Sequence, residues 1–412
     1  MDTYRAVRVP FHYGWVVVVT GTFCILACLG FGRFALGMLL PSMAQTLKLT
    51  YSQMGLISTA NFIGYLVAVL VSGFWAARLG ARKLIFISLM AVGISMVLIS
   101  QAKSFGSLLV LYLITGLGSG ASNVPMMGLI AAWFARSKRG KAAGFAVIGS
   151  GFAIVISGKL IPFVNALDGP GGWRLSWLIL GSAVIAIAFF CLLLLRNRPE
   201  EKGLRPIGNE DAADPGPAHM GGDRAIYKQK AIYLLGAIYF LFGYTYVIYA
   251  TFIVTMLVKE RGFSEFAAGN FWAWVGLLSL FSGPVFGTLS DKLGRKAGLI
   301  IVFSFQMLAY LLAASRLPDP FLYLSIGFYG IVAWSIPSIM VAAVSDYVGA
   351  ERAIAGFGFI TFIFGFGQIA GPVAAGALAE ATGSFSGSFY MSAVFAGLAI
   401  LLTTLLRKPR HS

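Results

Sequence analysis

The chain is poor in charge. Only 11% of its 412 residues are Asp, Glu, Lys or Arg, against 58% that are hydrophobic. A soluble protein of that size cannot present so little polar surface to water. Acid is scarcest: the 15 Asp and Glu all lie in tails, loops or the ends of apolar runs, and none lies in the middle of one. The three cysteines, Cys24, Cys28 and Cys191, sit inside apolar runs, as packing residues do, and not in a disulfide or metal pattern. The three histidines, His12, His219 and His411, fall near a helix start or in tails, with no metal-ligand spacing. No nucleophile–base set or phosphate loop appears, and the glycine-rich stretches lie inside apolar helices. These absences argue against an enzyme, and they leave no expected metal or cofactor.

What is present is length without polarity. Apolar runs long enough to cross a bilayer recur, and twelve spans are predicted at about 14–40, 54–76, 84–101, 106–133, 142–165, 173–195, 231–257, 264–288, 297–315, 321–345, 354–378 and 386–406. The N-terminus carries no small-residue cleavage site, so the first span is expected to stay in the protein. Residues 196–229, rich in Pro, Gly, Asp and Glu, read as a flexible cytoplasmic linker. It separates an N-terminal bundle, 1–195, from a C-terminal bundle, 230–412. A net charge of +16 would suit nucleic acid, but its placement argues for a membrane instead. With both termini inside, 23 of the 31 Lys and Arg fall in inner segments and 6 in outer loops. The expectation is an all-α polytopic membrane protein: twelve transmembrane helices in two pseudo-symmetric six-helix bundles, in the cytoplasmic membrane, with the lipid bilayer as partner.

The two halves repeat. Gly73-Phe74-Trp75-Ala76-Ala77-Arg78-Leu79-Gly80-Ala81-Arg82-Lys83 joins spans two and three. Gly287-Thr288-Leu289-Ser290-Asp291-Lys292-Leu293-Gly294-Arg295-Lys296 joins spans eight and nine, 214 residues later. Ser52-Gln53 and Ser264-Glu265, Asn123-Val124-Pro125 and Ser335-Ile336-Pro337, and Ala143-Gly144-Phe145 and Ala355-Gly356-Phe357 are each 212 apart, and Gly32-Arg33 and Gly243-Tyr244 are 211 apart. A parallel repeat of membrane bundles is an architecture from which transporters are built.

On these motifs the chain resembles the major facilitator superfamily over essentially its full length. The resemblance implies a central cavity lined by spans one, two, four, five, seven, eight, ten and eleven, with three, six, nine and twelve as outer supports. It also implies gating by the loop motif, here Gly73, Arg78, Gly80 and Arg82 in the first copy and Gly287, Asp291, Gly294 and Arg295 in the second. The first copy has Ala77 where the family usually has Asp, and span four has Tyr112 where the family often has Arg. Phe11-His12-Tyr13-Gly14-Trp15 and Gly30-Phe31-Gly32-Arg33-Phe34 are similar to bacterial monocarboxylate and oxalate/formate-type permeases and to bacterial permeases with a Gly-Arg-Phe run in span one.

Arg33 is the sharpest candidate residue. A charge inside a span is costly and usually faces protein or a substrate path. Gly30 and Gly37, at i−3 and i+4, leave its helix face open to a ligand, and a guanidinium binds a carboxylate with two parallel hydrogen bonds. Lys159 in span five is a second intramembrane cation. Two such cations with no acid beside them point to an anionic substrate. Asn61, Tyr65, Asn123, Asn270, Trp274, Trp334 and Gln368 are expected to complete the site, with Tyr244 and Tyr249 taken from the three span-seven tyrosines that also include Tyr246. Each of these side chains serves helix-to-helix bonding equally well. The expected activity is secondary transport of a small organic anion, a monocarboxylate foremost, by alternating access and as a monomer, with a co-transported proton left open. Export of apolar or amphipathic compounds, suggested by Met126, Met127 and Met340, is the alternative.

Overall fold

The structure, a computed structural model, describes residues 12–208, 229–349 and 352–406. Twelve helices long and apolar enough to cross a membrane account for nearly all of it: α1 Gly14–Leu47, α2 Tyr51–Leu79, α3 Ala81–Ile99, α4 Phe105–Trp133, α5 Arg136–Asp168 and α6 Gly172–Leu194, then α7 Lys230–Lys259, α8 Glu265–Leu293, α9 Arg295–Ala314, α10 Pro320–Val348, α11 Ala353–Thr382 and α12 Ser386–Thr404. No β-strand occurs among the described residues, only an isolated bridge between Phe134 and Ile207.

Local chemistry sets the helix ends. Thr50 and Gln53 form a capping box at the start of α2, and Ser104 and Ser107 form one at the start of α4. Gly80 and Gly294 end α2 and α8 at φ of +80° and +91°, a conformation that a side chain opposes, so each copy of the loop motif has a glycine there. Residues 196–208 depart from the expected flexible linker. Ile207 exchanges backbone hydrogen bonds with Trp133 and Ala135, and Asn197 accepts from the Arg82 amide, so the strap lies bonded to the N-terminal bundle. The acidic Pro/Gly stretch around 209–217 lies outside the described residues.

Two helices are interrupted, and both interruptions matter to the site. α10 breaks at Ala333–Trp334, four and three residues before Pro337, whose ring displaces the carbonyl four residues back. α1 changes to a π-helix over Leu26–Phe34, with Arg33 in its last turn.

Close glycine approaches between the bundles lie at one end, away from the loop motifs. A Cβ on Gly37 would stand 2.6 Å from the Ala250 carbonyl oxygen, one on Gly55 2.3 Å from that of Pro372, and one on Gly158 2.5 Å from that of Gly269. Glycine therefore permits the α1–α7, α2–α11 and α5–α8 contacts that close this end. At the end carrying the loop motifs and the strap, a Cβ on Gly73, Gly140, Gly144, Gly287 or Gly358 meets nothing within 4 Å.

Candidate functional site

The π segment places Arg33 in the middle of the protein and depends on its neighbours for donors. A π-turn leaves carbonyls poorly matched to the regular ladder. Here Ser119 donates to the Cys28 carbonyl at 2.6 Å, Asn61 Nδ2 to Gly32 at 3.2 Å and the Tyr112 hydroxyl to Arg33 at 3.0 Å. These donors reach α1 because α2 and α4 lie almost backbone to backbone: a Cβ on Gly116 would sit 2.0 Å from the Asn61 carbonyl oxygen.

The Arg33 side chain is 9% exposed. Its Cζ lies 4.6 Å from the centroid of the Phe62 ring and 4.2 Å from that of Tyr65. Desolvated cation–π contacts of this kind are worth about 2 kcal/mol. Its Nε and Nη2 have no hydrogen-bond partner, and no ion pair reaches it among the described residues. A buried, unpaired guanidinium is costly unless something else completes it.

Other expected residues converge on it. Asn123 Nδ2 donates to the Tyr65 hydroxyl at 2.7 Å. Phe34 packs its ring 5.1 Å from that of Trp334, which in turn meets the edge of Tyr246 at 5.9 Å, and Gln368 donates to the Tyr246 hydroxyl. Tyr246 is close enough to feel the Arg33 charge. The buried Asn61 Oδ1, Asn123 Oδ1 and Trp334 Nε1 have no partner. The arrangement presents unpaired donors and acceptors between aromatic walls, as a site for a small polar ligand does.

Five expected site residues are not brought to Arg33. Tyr244 points its hydroxyl at Met391 Sδ and its ring at Phe395, and Tyr249 bonds Ser325 and stacks on Tyr329. Tyr246 is the span-seven tyrosine at the site. The spacing that singled out Arg33 also marks it, since Gly243 and Ala250 stand at its i−3 and i+4 positions. Lys159 lies on an outward stripe with Phe152, Ile156, Phe163 and Leu167, all exposed, and bonds Asn270 at 2.5 Å. Trp274, 56% exposed, continues the matching stripe on α8 with Phe266 and Phe281. Neither stripe makes a contact with Arg33 or with the aromatic rings around it among the described residues. The site thus holds one intramembrane cation, not two. Gly30 and Gly37 also differ from expectation. They leave no room for a ligand, because Ala153 and the Ala250 carbonyl fill the space.

The loop motifs are built asymmetrically. Arg82 donates to the Leu192 carbonyl at the end of α6, and Lys296 donates to that of Thr404 at the end of α12, so these basic residues are repeat partners. Arg295 pairs with Asp291 and, at 2.9 Å, with Asp346. The repeat partners of that triad are Ala77, Ala81 and Phe134. Arg78 instead lies over the Phe74 ring at 4.1 Å.

Comparison with known proteins follows the same lines. Residues 25–404 match the family described as the uncharacterised MFS-type transporter YbfB. The chain belongs to this family of the major facilitator superfamily. It is 25% identical over 405 residues to the hexuronate transporter of Bacillus subtilis, covering 92% of each chain. It is 26% identical over 402 residues to human monocarboxylate transporter 2, covering 92% of this chain and 82% of that one. Its fold is similar to that of a bacterial homologue of the human lysosomal transporter spinster in an inward-facing conformation. The TM-score is 0.76 at 16% identity, over 95% of this chain and 96% of that one. The protein is therefore a multi-pass membrane transporter with an all-α fold, a family member whose relatives move small organic substrates.

Proposed function

We propose that the chain is a secondary carrier for a small organic anion, a monocarboxylate foremost, and that Arg33 binds the carboxylate. The observation that carries this is the buried guanidinium with two unpaired nitrogens, walled by Phe62 and Tyr65 and without an acid. A carboxylate supplies both the charge and the acceptors it lacks. The relatives named for hexuronate and monocarboxylate transport support an anionic substrate.

The basic inner segments support a cytoplasmic position for the end carrying the loop motifs; on that reading the α1–α7, α2–α11 and α5–α8 contacts close the outer side. Transport then requires these contacts to part as the inner ends meet. Among the described residues no carboxylate pairs with Arg33 to carry a proton, so a co-transported proton would travel on the substrate acid. Each chain holds both bundles and works as a monomer. The exporter reading has less to rest on, because Met126 and Met340 are fully buried and only Met127 is partly exposed.

The test is thermal stabilisation of purified protein by small carboxylates, inorganic anions and lipophilic cations, in wild type and Arg33→Gln. A bound ligand raises apparent stability. Stabilisation by a carboxylate that vanishes in the variant is expected. Stabilisation by lipophilic compounds alone, equal in both proteins, would overturn the proposal.

A further inference from the structure

Asn61 adds a second requirement to the ligand. It lines the same small cavity as Arg33, together with Tyr112, Phe62, Ser58 and Thr251. The cavity is about 10 Å³, room for one water in this closed arrangement. Asn61 is 1% exposed, and its amide orientation is fixed by its partners. Nδ2 lies 3.2 Å from the Gly32 carbonyl oxygen and 3.3 Å from that of Tyr112. Both partners only accept, so the NH2 group must face them and Oδ1 must face away. That Oδ1 is buried and has no donor. The nearby hydroxyls do not reach it: Tyr112 donates to the Arg33 carbonyl, and Ser58 and Thr251 turn to each other at 3.2 Å, a bond that uses one of their two protons.

The cavity wall therefore offers donors from Arg33 and an acceptor from Asn61. A plain carboxylate has only acceptors. It completes Arg33 and leaves Asn61 Oδ1 both unpaired and facing negative charge. A buried polar atom left without a partner costs about 1–3 kcal/mol. An ammonium group on the same ligand would donate to Oδ1, but the ligand would then be neutral overall and leave one net positive charge in the site, with no acid paired to Arg33 among the described residues to offset it. A hydroxyl donates without charge. Because Arg33 and Asn61 line one cavity, the hydroxyl must stand close to the carboxylate.

We infer that the site selects a short hydroxy acid, with the carboxylate on Arg33 and the hydroxyl donating to Asn61 Oδ1. This rests on the carboxylate reading of Arg33, and Asn61 is the residue that sets specificity. A site built to hydrogen-bond a ligand hydroxyl discriminates strongly against the analogue that lacks it.

Matched acids test this: propionate, 2-hydroxypropionate and 2-aminopropionate, with dissociation constants measured on purified full-length protein. Wild type is expected to bind the hydroxy acid at least about tenfold more tightly than propionate, one well-made hydrogen bond being worth about that factor. The amino acid is expected to bind more weakly than either. In Asn61→Leu the ratio of hydroxy acid to propionate is expected to fall near one. Because Asn61 also braces the π segment, the wild-type ratio serves as an independent measurement that needs no variant. A wild-type ratio near one overturns the inference and leaves the carboxylate reading intact. Binding of none of the three acids overturns the carboxylate reading, and the inference with it. A preference that persists in folded Asn61→Leu overturns the assignment to Asn61. Binding of the amino acid as tight as that of the hydroxy acid overturns the choice of hydroxyl.

Discussion

The Arg33 guanidinium lies 4.2 Å from the centroid of the Tyr65 ring, and Tyr65 is in turn held by Asn123 through its hydroxyl. The ring therefore compensates a charge that no carboxylate among the described residues pairs with. Tyr65→Leu is expected to destabilise the protein by about 2 kcal/mol, and by clearly less in an Arg33→Gln background, where there is no charge to compensate. Denaturant unfolding in a double-mutant cycle measures the difference. Additive effects would show that the ring packs against α1 without stabilising the guanidinium.

The bracing of the π segment gives a second prediction. Tyr112→Phe removes one donor from the Arg33 carbonyl but keeps the ring against Trp177. It should cost about 1 kcal/mol and lower the apparent melting temperature by a small amount. Gly116→Ala forces a Cβ to 2.0 Å from the Asn61 carbonyl oxygen, with backbone on both sides and little room to yield. It should cost more, about 1–3 kcal/mol or beyond, and should reduce recovery of folded protein. The opposite ranking in melting temperature would mean that the α2–α4 approach does not set the position of Arg33.

The fold was legible because a bilayer imposes long apolar runs, and because the repeat left glycines and charges at matching distances. Arg33 was legible for the same reason: a charge in hydrocarbon stands out. Lys159 gave the same signal and a different outcome. Its surroundings in sequence could have separated the two, since Phe152, Ile156 and Phe163 at i−7, i−3 and i+4 form an apolar stripe of the kind that faces lipid. Which of Tyr244, Tyr246 and Tyr249 turns inward depends on the phase of α7 against α1 and α11, which composition does not show. The π segment carried no visible signal, because it exists through donors 29 to 91 residues away in sequence, such as Asn61, Tyr112 and Ser119.

The placement of Lys159 is testable in its own right. Lys159→Met keeps the length and the apolar contacts of the outward stripe while removing the bond to Asn270. Substrate affinity should change by less than about twofold, as for a substitution away from a binding site, whereas Arg33→Gln abolishes binding. A loss of affinity in Lys159→Met comparable to that in Arg33→Gln would return Lys159 to the cavity.

The asymmetry of the loop motifs leads to the last prediction. Arg295 holds Asp291, Asp346 and the Ser290 hydroxyl, tying the ends of α8, α9 and α10. Ala77, Ala81 and Phe134 occupy the matching places in the other bundle, where only packing and the Arg82 cap remain. Because Asp291 is 62% exposed, water and salt screen the pair, and its removal should cost less than about 1 kcal/mol of stability. Its effect should fall instead on interconversion between states, since these loops border the end that opens. Arg295→Ala is expected to slow uptake into proteoliposomes while leaving the equilibrium affinity for the anion unchanged, and raised ionic strength should reproduce part of the loss in wild type. Introducing the missing pair with Ala77→Asp and Ala81→Arg should not restore transport to Arg295→Ala, because the ends of α8 and α10 would still lack their tie. A lowered affinity in Arg295→Ala with unchanged uptake at saturation would place the triad in the binding path and not in the gate.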